Sequence, residues 1–200
     1  MRHLHPRVDM FGLVNRPEQY RRLTSGPFRR VHARVVTDVI TAGLPAGARV
    51  LDIGTGPGGV PISIAETATS MQVDGVDLSA KMIAHARRTL ADSDAHDRVT
   101  FSAGDAAALP YPDETFDLVV SSMSQHHWAD VPAAMREIRR VLRPDGRAWI
   151  YDARIALHRA KSAARELFAA QAVRTEPIQT AHLPIRLFAR LSVDRSPSPW

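Results

Sequence analysis

Three clusters in this 200-residue sequence hold residue types able to do chemistry. One is a run of glycines behind an aspartate. Another is a set of acids at the ends of apolar segments. The last is a pair of adjacent histidines. The glycine run is Arg49 to Val60, R-V-L-D-I-G-T-G-P-G-G-V. Its apolar part (Val50, Leu51, Ile53) reads as a buried parallel strand that ends in a tight turn and enters a helix. Glycines there let the backbone take positive φ and come close to a ligand. Amides at a helix N-terminus favour a negatively charged group. A nucleotide-type ligand at the carboxyl end of the strand follows. Gly54, Gly56 and Gly59 also satisfy the dinucleotide fingerprint, and Asp77 follows at a suitable distance, so a nicotinamide or flavin site competes. Asp52 argues against it, because a carboxylate beside the loop repels a pyrophosphate but accepts from a cationic ligand.

Asp77 closes the apolar segment V-D-G-V-D, where an acid can accept from both hydroxyls of a ribose. Asp105 follows a third segment and could accept from an adenine amino group, with Ala106 beside it. Both acids could instead cap helices. Asp117, inside a fourth segment, reads as structural. His126 and His127 follow that fourth segment, in S-S-M-S-Q-H-H-W. An imidazole titrates near neutrality and can take a proton. The alternative is a histidine packed on Trp128 or bonded to the loop backbone.

The elements that must hold these residues alternate. Phe28 to Ala42 is an amphipathic helix with Val31, Val35 and Val39 on one face. Strands are expected at 49–53, 73–77, 99–102, 115–121 and 147–152. Helices are expected at 60–68, 80–91 and about 130–142, with a turn of helix from Asp105 to Leu109. A helix over Leu157–Val173 and a closing strand over Ile185–Val193 follow. Strands alternating with helices imply a layered α/β sheet with right-handed crossovers. Residues 1–27 read as a loosely structured arm with one short helix.

The length suits one domain with a real core. No cysteine is present, which excludes disulfides and cysteine nucleophiles. The start lacks the apolar stretch of a signal peptide and no run is long enough to span a bilayer, so the expectation is a cytoplasmic enzyme. Charge is uneven: residues 1–45 hold eight arginines and three acids, 46–153 hold ten Lys/Arg and fifteen acids, and 154–200 hold eight Lys/Arg and three acids. The basic flanks could meet an anionic substrate, nucleic acid or an acidic membrane surface. Their scatter fits solvated arginines better than a nucleic-acid footprint.

Four segments in order narrow the choice beyond the glycine loop: V-D-G-V-D-L-S, G-D-A-A-A-L-P, P-D-E-T-F-D-L-V-V-S-S and V-L-R-P-D-G-R-A-W-I. With D-x-G-x-G-x-G, they resemble class I S-adenosylmethionine (SAM)-dependent methyltransferases, in particular the type 11 family that includes quinone-biosynthesis C-methyltransferases. The resemblance covers about Arg49 to Asp152. It implies a Rossmann-like, mostly parallel sheet of seven strands with helices on both faces and a C-terminal antiparallel hairpin. Here that hairpin looks abbreviated, with Glu176 to Ala181 a weak sixth strand. The resemblance divides a single domain into an N-terminal cap and helix (1–45), a SAM-binding core (46–153) and a C-terminal helix and closing strand (154–200). It assigns Gly54, Thr55 and Gly56 to the methionine part of SAM, with Asp52 supporting the loop. Asp77 holds the ribose, Leu78 and Met82 flank the adenine, and Asp105 and Ala106 hold its edge. Ser121 and Ser122 lie under the sulfonium.

Methyl transfer from a sulfonium is an in-line displacement in which the protein mainly aligns donor and acceptor. A base is needed only for a protonated acceptor, and His126 is preferred to His127 for that role. The Asn/Asp-Pro-Pro-aromatic tetrad of amino-methylating nucleic-acid enzymes is replaced by Ser121-Ser122-Met123-Ser124. No metal-ligand cluster is evident, so no metal is expected. The expected partner is a small-molecule acceptor with an O-, C- or N-nucleophile, and S-adenosyl-L-homocysteine is the product. Phe11, Tyr20 and Phe28 of the arm are expected to roof the acceptor, in a pocket that is open or completed by a second subunit in a homodimer. Two competing readings stay in view: a non-catalytic SAM-binding or RNA-associated protein, and a nicotinamide-dependent oxidoreductase.

Overall fold

The computed structural model describes residues 27–179 and 187–195. The expectations for the N-terminal arm, its roofing aromatics and the start of the closing strand lie outside the described residues or their described side chains. Helix α1 (Pro27–Ile40) opens the described chain. Val31, Val35 and Val39 recur every fourth residue and are fully buried, the stripe of a helix laid on a sheet.

The order then alternates: β1 (Arg49–Ile53), α2 (Gly59–Thr67), β2 (Gln72–Asp77), α3 (Ala80–Ala91), β3 (Val99–Ala103) and β4 (Phe116–Ser122). A 3-10 turn over Gln125–His127, α4 (Val131–Val141), β5 (Leu142–Ala153) and α5 (Leu157–Leu167) follow. A second 3-10 turn, Ala170–Ala172, leads to β6 (Val173–Ile178) and β7 (Phe188–Asp194). The seven strands are ordered β3-β2-β1-β4-β5-β7-β6. The first five are parallel, and β7 runs antiparallel to both β5 and β6.

The strands are apolar on both faces, and successive residues divide between two cores. Val50, Leu118, Val120, Trp149 and Tyr151 meet α1, α2 and α3 on one side. Leu51, Ile53, Val119 and Ile150 meet α4 and α5 on the other. This is why the strands read as near-continuous apolar runs. The sheet direction puts the ends of β1, β2, β4 and β5 on one rim, with the start of β7 beside β5.

Three features differ from the sequence expectation. The C-terminal hairpin is complete: β6 pairs β7 over six residues, from Val173 with Val193 to Ile178 with Phe188. Only Val173 and Ile178 of β6 are buried, so the strand has exposed polar residues between two apolar ends and shows little periodicity in sequence. The helix expected through Val173 stops at Leu167. Phe168 is extended there, and its buried ring joins the α4–α5 core. Asp105 does not start a helix. Its Oδ1 accepts from the Ala107 N–H at 2.9 Å, and Asp105 and Ala108 form a single bridge, an Asx turn in place of a helical turn. Among the described residues β6 is an edge strand; its Arg174 and Glu176 are ion-paired to β7 residues Asp194 and Arg190, and Pro177 follows them. No helix among the described residues is long and apolar enough to cross a membrane.

Candidate active site

At the rim, β1 breaks into a loop held by its neighbour. The N–H groups of Gly54 and Thr55 both donate to the Val76 carbonyl, at 2.8 and 3.0 Å. The Gly56 N–H donates to Asp77 Oδ2 at 2.9 Å, and Asp77 Oδ1 accepts from the Ser79 N–H at 2.8 Å. Each Asp77 oxygen therefore already has one backbone donor, and each keeps a further lone pair for a ligand. Burial raises the Asp77 carboxyl, while the Ser79 and Gly56 N–H groups and the nearby His127 pull it back.

Gly54 has φ of 74° and no room for a side chain: a Cβ would lie 2.2 Å from Ser124 Oγ. Ser124 donates its hydroxyl to the Ile53 carbonyl at 2.9 Å, and Ser121 Oγ lies 2.8 Å away. The Ser124 proton is committed to Ile53, so Ser121 is the donor of the pair. These bonds lock the end of β4 onto the glycine loop. Sequence reasoning missed Ser124, and only its fixed distance from the strand end marked it.

Asp52 is almost fully buried, and its Oδ1 has no hydrogen-bond partner. Burial pushes its carboxyl up to about 7, the nearby Thr55 hydroxyl lowers it, and the Asp77 charge raises it. Thr55 Oγ1, Ser122 Oγ and Gln125 Oε1 are also buried without partners. Four of the seven such atoms among the described residues thus belong to the ends of β1 and β4 and the segments that follow them. Buried polar atoms are normally satisfied, so a cluster of orphans is a place for a polar ligand.

The other expected contacts lie on the same rim. Leu78 is 68% exposed just beyond Asp77, whereas Met82 is buried in α3. Asp105 is exposed and Ala106 half-buried after β3. Ser121 and Ser122 are buried at the end of β4, but the Ser121 hydroxyl is used inside the protein.

The 3-10 turn after β4 carries the histidines. His126 Nδ1 lies 3.0 and 2.9 Å from the two Asp152 oxygens, and its backbone N–H reaches Asp152 Oδ2 at 3.1 Å. Asp152 is wholly buried at the end of β5 and also accepts from the Ala153 N–H at 2.7 Å. A carboxylate only accepts, so Nδ1 carries the proton and Nε2 is the accepting nitrogen. His127 has its ring centroid 4.0 Å from that of His126. Burial lowers its pKa first and the His126 charge adds to this, against Asp152 and Asp77. In sequence, Asp152 was visible only as an acid ending the apolar run W-I-Y; its pairing with His126 depends on β4 and β5 being neighbours.

The rim thus brings together the glycine loop, Asp77, the orphaned polar atoms and a histidine–aspartate dyad. A buried carboxyl with an unpartnered oxygen and a strand-end acid with spare lone pairs suit a ligand that carries an ammonium and a ribose and no phosphate, as SAM does.

The chain is similar to known methyltransferases. Residues 50–146 match the family described as "Methyltransferase domain". The 27-O-demethylrifamycin SV methyltransferase of Amycolatopsis mediterranei is 42% identical over 119 residues, which are 58% of this chain and 43% of that protein. The ubiquinone/menaquinone biosynthesis C-methyltransferase UbiE of Geobacter sulfurreducens is 39% identical over 107 residues, 53% of this chain and 42% of that protein. The chain spans less than half the length of these curated relatives. Among solved structures, YcgJ of Bacillus subtilis superposes with a TM-score of 0.60 at 27% identity, covering 76% of this chain and 71% of that one. A methyltransferase of Methanococcus maripaludis covers 99% of this chain and 98% of its own at a TM-score of 0.69 and 20% identity, which speaks to the fold alone. Residues 50–146 thus resemble a methyltransferase domain, and the seven-stranded sheet with its antiparallel hairpin has the fold of class I SAM-dependent methyltransferases.

Proposed function

We propose that the chain methylates an acidic hydroxyl, phenolic or enolic, of a small organic acceptor, with His126 as the base. The observation that carries this is the buried Asp152 carboxylate on His126 Nδ1 at the rim that holds the glycine loop. SAM, when bound, supplies an activated methyl group on a sulfonium. The protein's share is to bind, align and remove a proton. Asp52 and Thr55 have the free polar atoms to meet the ammonium, Asp77 the lone pairs for the ribose, and Leu78 the exposed apolar surface for the adenine, with Met82 buried in α3 rather than flanking it. Asp105 and Ala106 take the adenine edge in this reading.

His126 Nε2 accepts the acceptor's proton, and Asp152 stabilises the imidazolium that results and holds the ring in one orientation. Asp152 is a positioning residue. His127 packs beside His126, with ring centroids 4.0 Å apart. Deprotonated oxygen is the favoured nucleophile. A ring carbon activated by that oxygen is the second choice, favoured by the relatives named as C-methyltransferases. A nicotinamide site is disfavoured by Asp52, which would face a pyrophosphate.

The test begins with calorimetric titration of S-adenosylhomocysteine, with NAD as control. Binding of the former, abolished by Asp77→Ala, is the expected result; binding of NAD instead would overturn the cofactor assignment. Screening of phenols and enols with labelled SAM then identifies an acceptor. With it, His126→Ala is expected to lower kcat by about 10²- to 10⁴-fold while leaving S-adenosylhomocysteine affinity intact. Asp152→Asn is expected to lower kcat and displace the pH profile. Full turnover by His126→Ala would remove the base.

A further inference from the structure

Four large apolar side chains are exposed among the described residues: Ile40, Leu78, Ile155 and Leu187. Ile40 ends α1 at the far end of the sheet, where Arg147 reaches the Ala42 carbonyl. The other three stand on the rim of the candidate site. Leu78 adjoins Asp77. Ile155 and Leu187 belong to the side of the dyad: Ile155 is 90% exposed three residues after Asp152, and Leu187 is 53% exposed at the entry to β7. Their segments are tied together, since the Arg154 N–H donates to the Leu187 carbonyl at 2.9 Å and Ala153 pairs with Phe188.

We infer that Ile155 and Leu187 form an apolar ledge that receives the hydrocarbon body of the methyl acceptor, and so select a fused or multi-ring hydroxylated compound over a small polar one. The inference rests on the methyl-transfer reading above. Single exposed apolar residues are ordinary on a protein surface. Here two stand on segments bonded to one another, and one lies three residues from the carboxylate that orients the base. His126 is bonded to Asp152 at the end of β5, and that end leads directly into Arg154 and Ile155. Covering two aliphatic side chains with a ring removes apolar surface from water, which favours the larger ring. The uncharged occupant is an acceptor body because the ledge continues the site; a second copy of the chain is the alternative occupant.

The test uses the enzyme saturated with S-adenosylhomocysteine and two probes, 1-naphthol and phenol. The wild type is expected to bind 1-naphthol at least tenfold more tightly than phenol. Ile155→Glu and Leu187→Glu are each expected to cut that ratio about fivefold or more, while Ile155→Met and Leu187→Met keep it and cofactor-product affinity is unmoved in all four. An unchanged ratio in the Glu variants, with S-adenosylhomocysteine still bound, overturns the ledge and leaves the methyl-transfer reading standing. Failure of the wild type to bind S-adenosylhomocysteine removes that reading and the ledge with it. A wild-type dimer that the Glu variants convert to monomer, with the ratio unchanged, assigns the surface to a second copy and overturns the inference.

Discussion

Asp52 stands where a carboxyl is least at ease: buried, with one oxygen unpartnered. Its carboxyl sits at about 7 in the folded chain and near 3.9 when unfolded. The native state therefore holds the proton more tightly, and stability falls as pH rises from about 4 through 7, by at most about 4 kcal/mol. Asp52→Asn removes this. Its melting temperature is expected to be flatter than wild type between pH 5 and 7.5 in the absence of ligand. A cationic ligand reverses the preference, so S-adenosylhomocysteine is expected to bind more tightly to the wild type as pH rises through 7, with proton release. Calorimetry in buffers of different ionisation enthalpy reads that release; its absence would show that Asp52 is already charged. At this scale the sequence was a good guide where chemistry is local. Asp52, Gly54, Asp77 and His126 could be selected from type and position. Asp152 and Ser124 could not, because each acts through a residue brought close only by strand pairing or by a loop folding back.

Among the elements, the loop after β1 and the segment after β4 behave as one part. Ser124 occupies the space that a Cβ on Gly54 would need, and it holds the Ile53 carbonyl. Gly54→Ala is expected to displace Ser124 and force an alanine into the left-handed region, at a cost of about 1 to 3 kcal/mol. It should also cost most of the cofactor-product affinity. Adding Ser124→Gly is expected to recover only part, since the φ strain remains. Denaturant midpoints and titration calorimetry on the single and double variants check this, and full recovery would mean that steric overlap alone was at issue. Apart from the turn at Asp105, the elements up to α4 followed their periodicity in sequence to within a few residues. The failures came where tertiary contacts decide. The helix ends at Leu167 because Phe168 is drawn into the core, and β6 exists because β7 offers it a ladder.

At the scale of the whole molecule, α1 is bound to the sheet by polar as well as apolar contacts. Asp38 accepts from the Tyr151 hydroxyl at 2.8 Å, from Arg190 at 3.0 Å and from Arg34 at 2.7 Å. Burial and then the Asp38 charge keep the Tyr151 phenol protonated. One carboxylate thus joins α1, β5 and β7, elements more than a hundred residues apart. Asp38→Ala leaves the Tyr151 hydroxyl without its acceptor and Arg190 with Glu176 alone, and is expected to destabilise the fold by about 2 to 4 kcal/mol. Asp38→Ala in a Tyr151→Phe background should cost less than the sum of the two single changes, which a double-mutant cycle measures. The layered α/β class was legible from alternation alone, whereas this clasp was not, since nothing in sequence links position 38 to 151 and 190.

The outer face of β6 bears on how the protein behaves in a crowded solution. A strand with one side unpaired is a template on which other chains can add. Here that side carries Arg174 and Glu176, each held by an ion pair to β7, and then Pro177, which has no amide proton to give. An incoming strand would have to part those charges and would find a donor missing. The last strand added to the sheet is therefore also the one that discourages growth, and the hairpin that completes the fold protects it from fibril formation at high concentration.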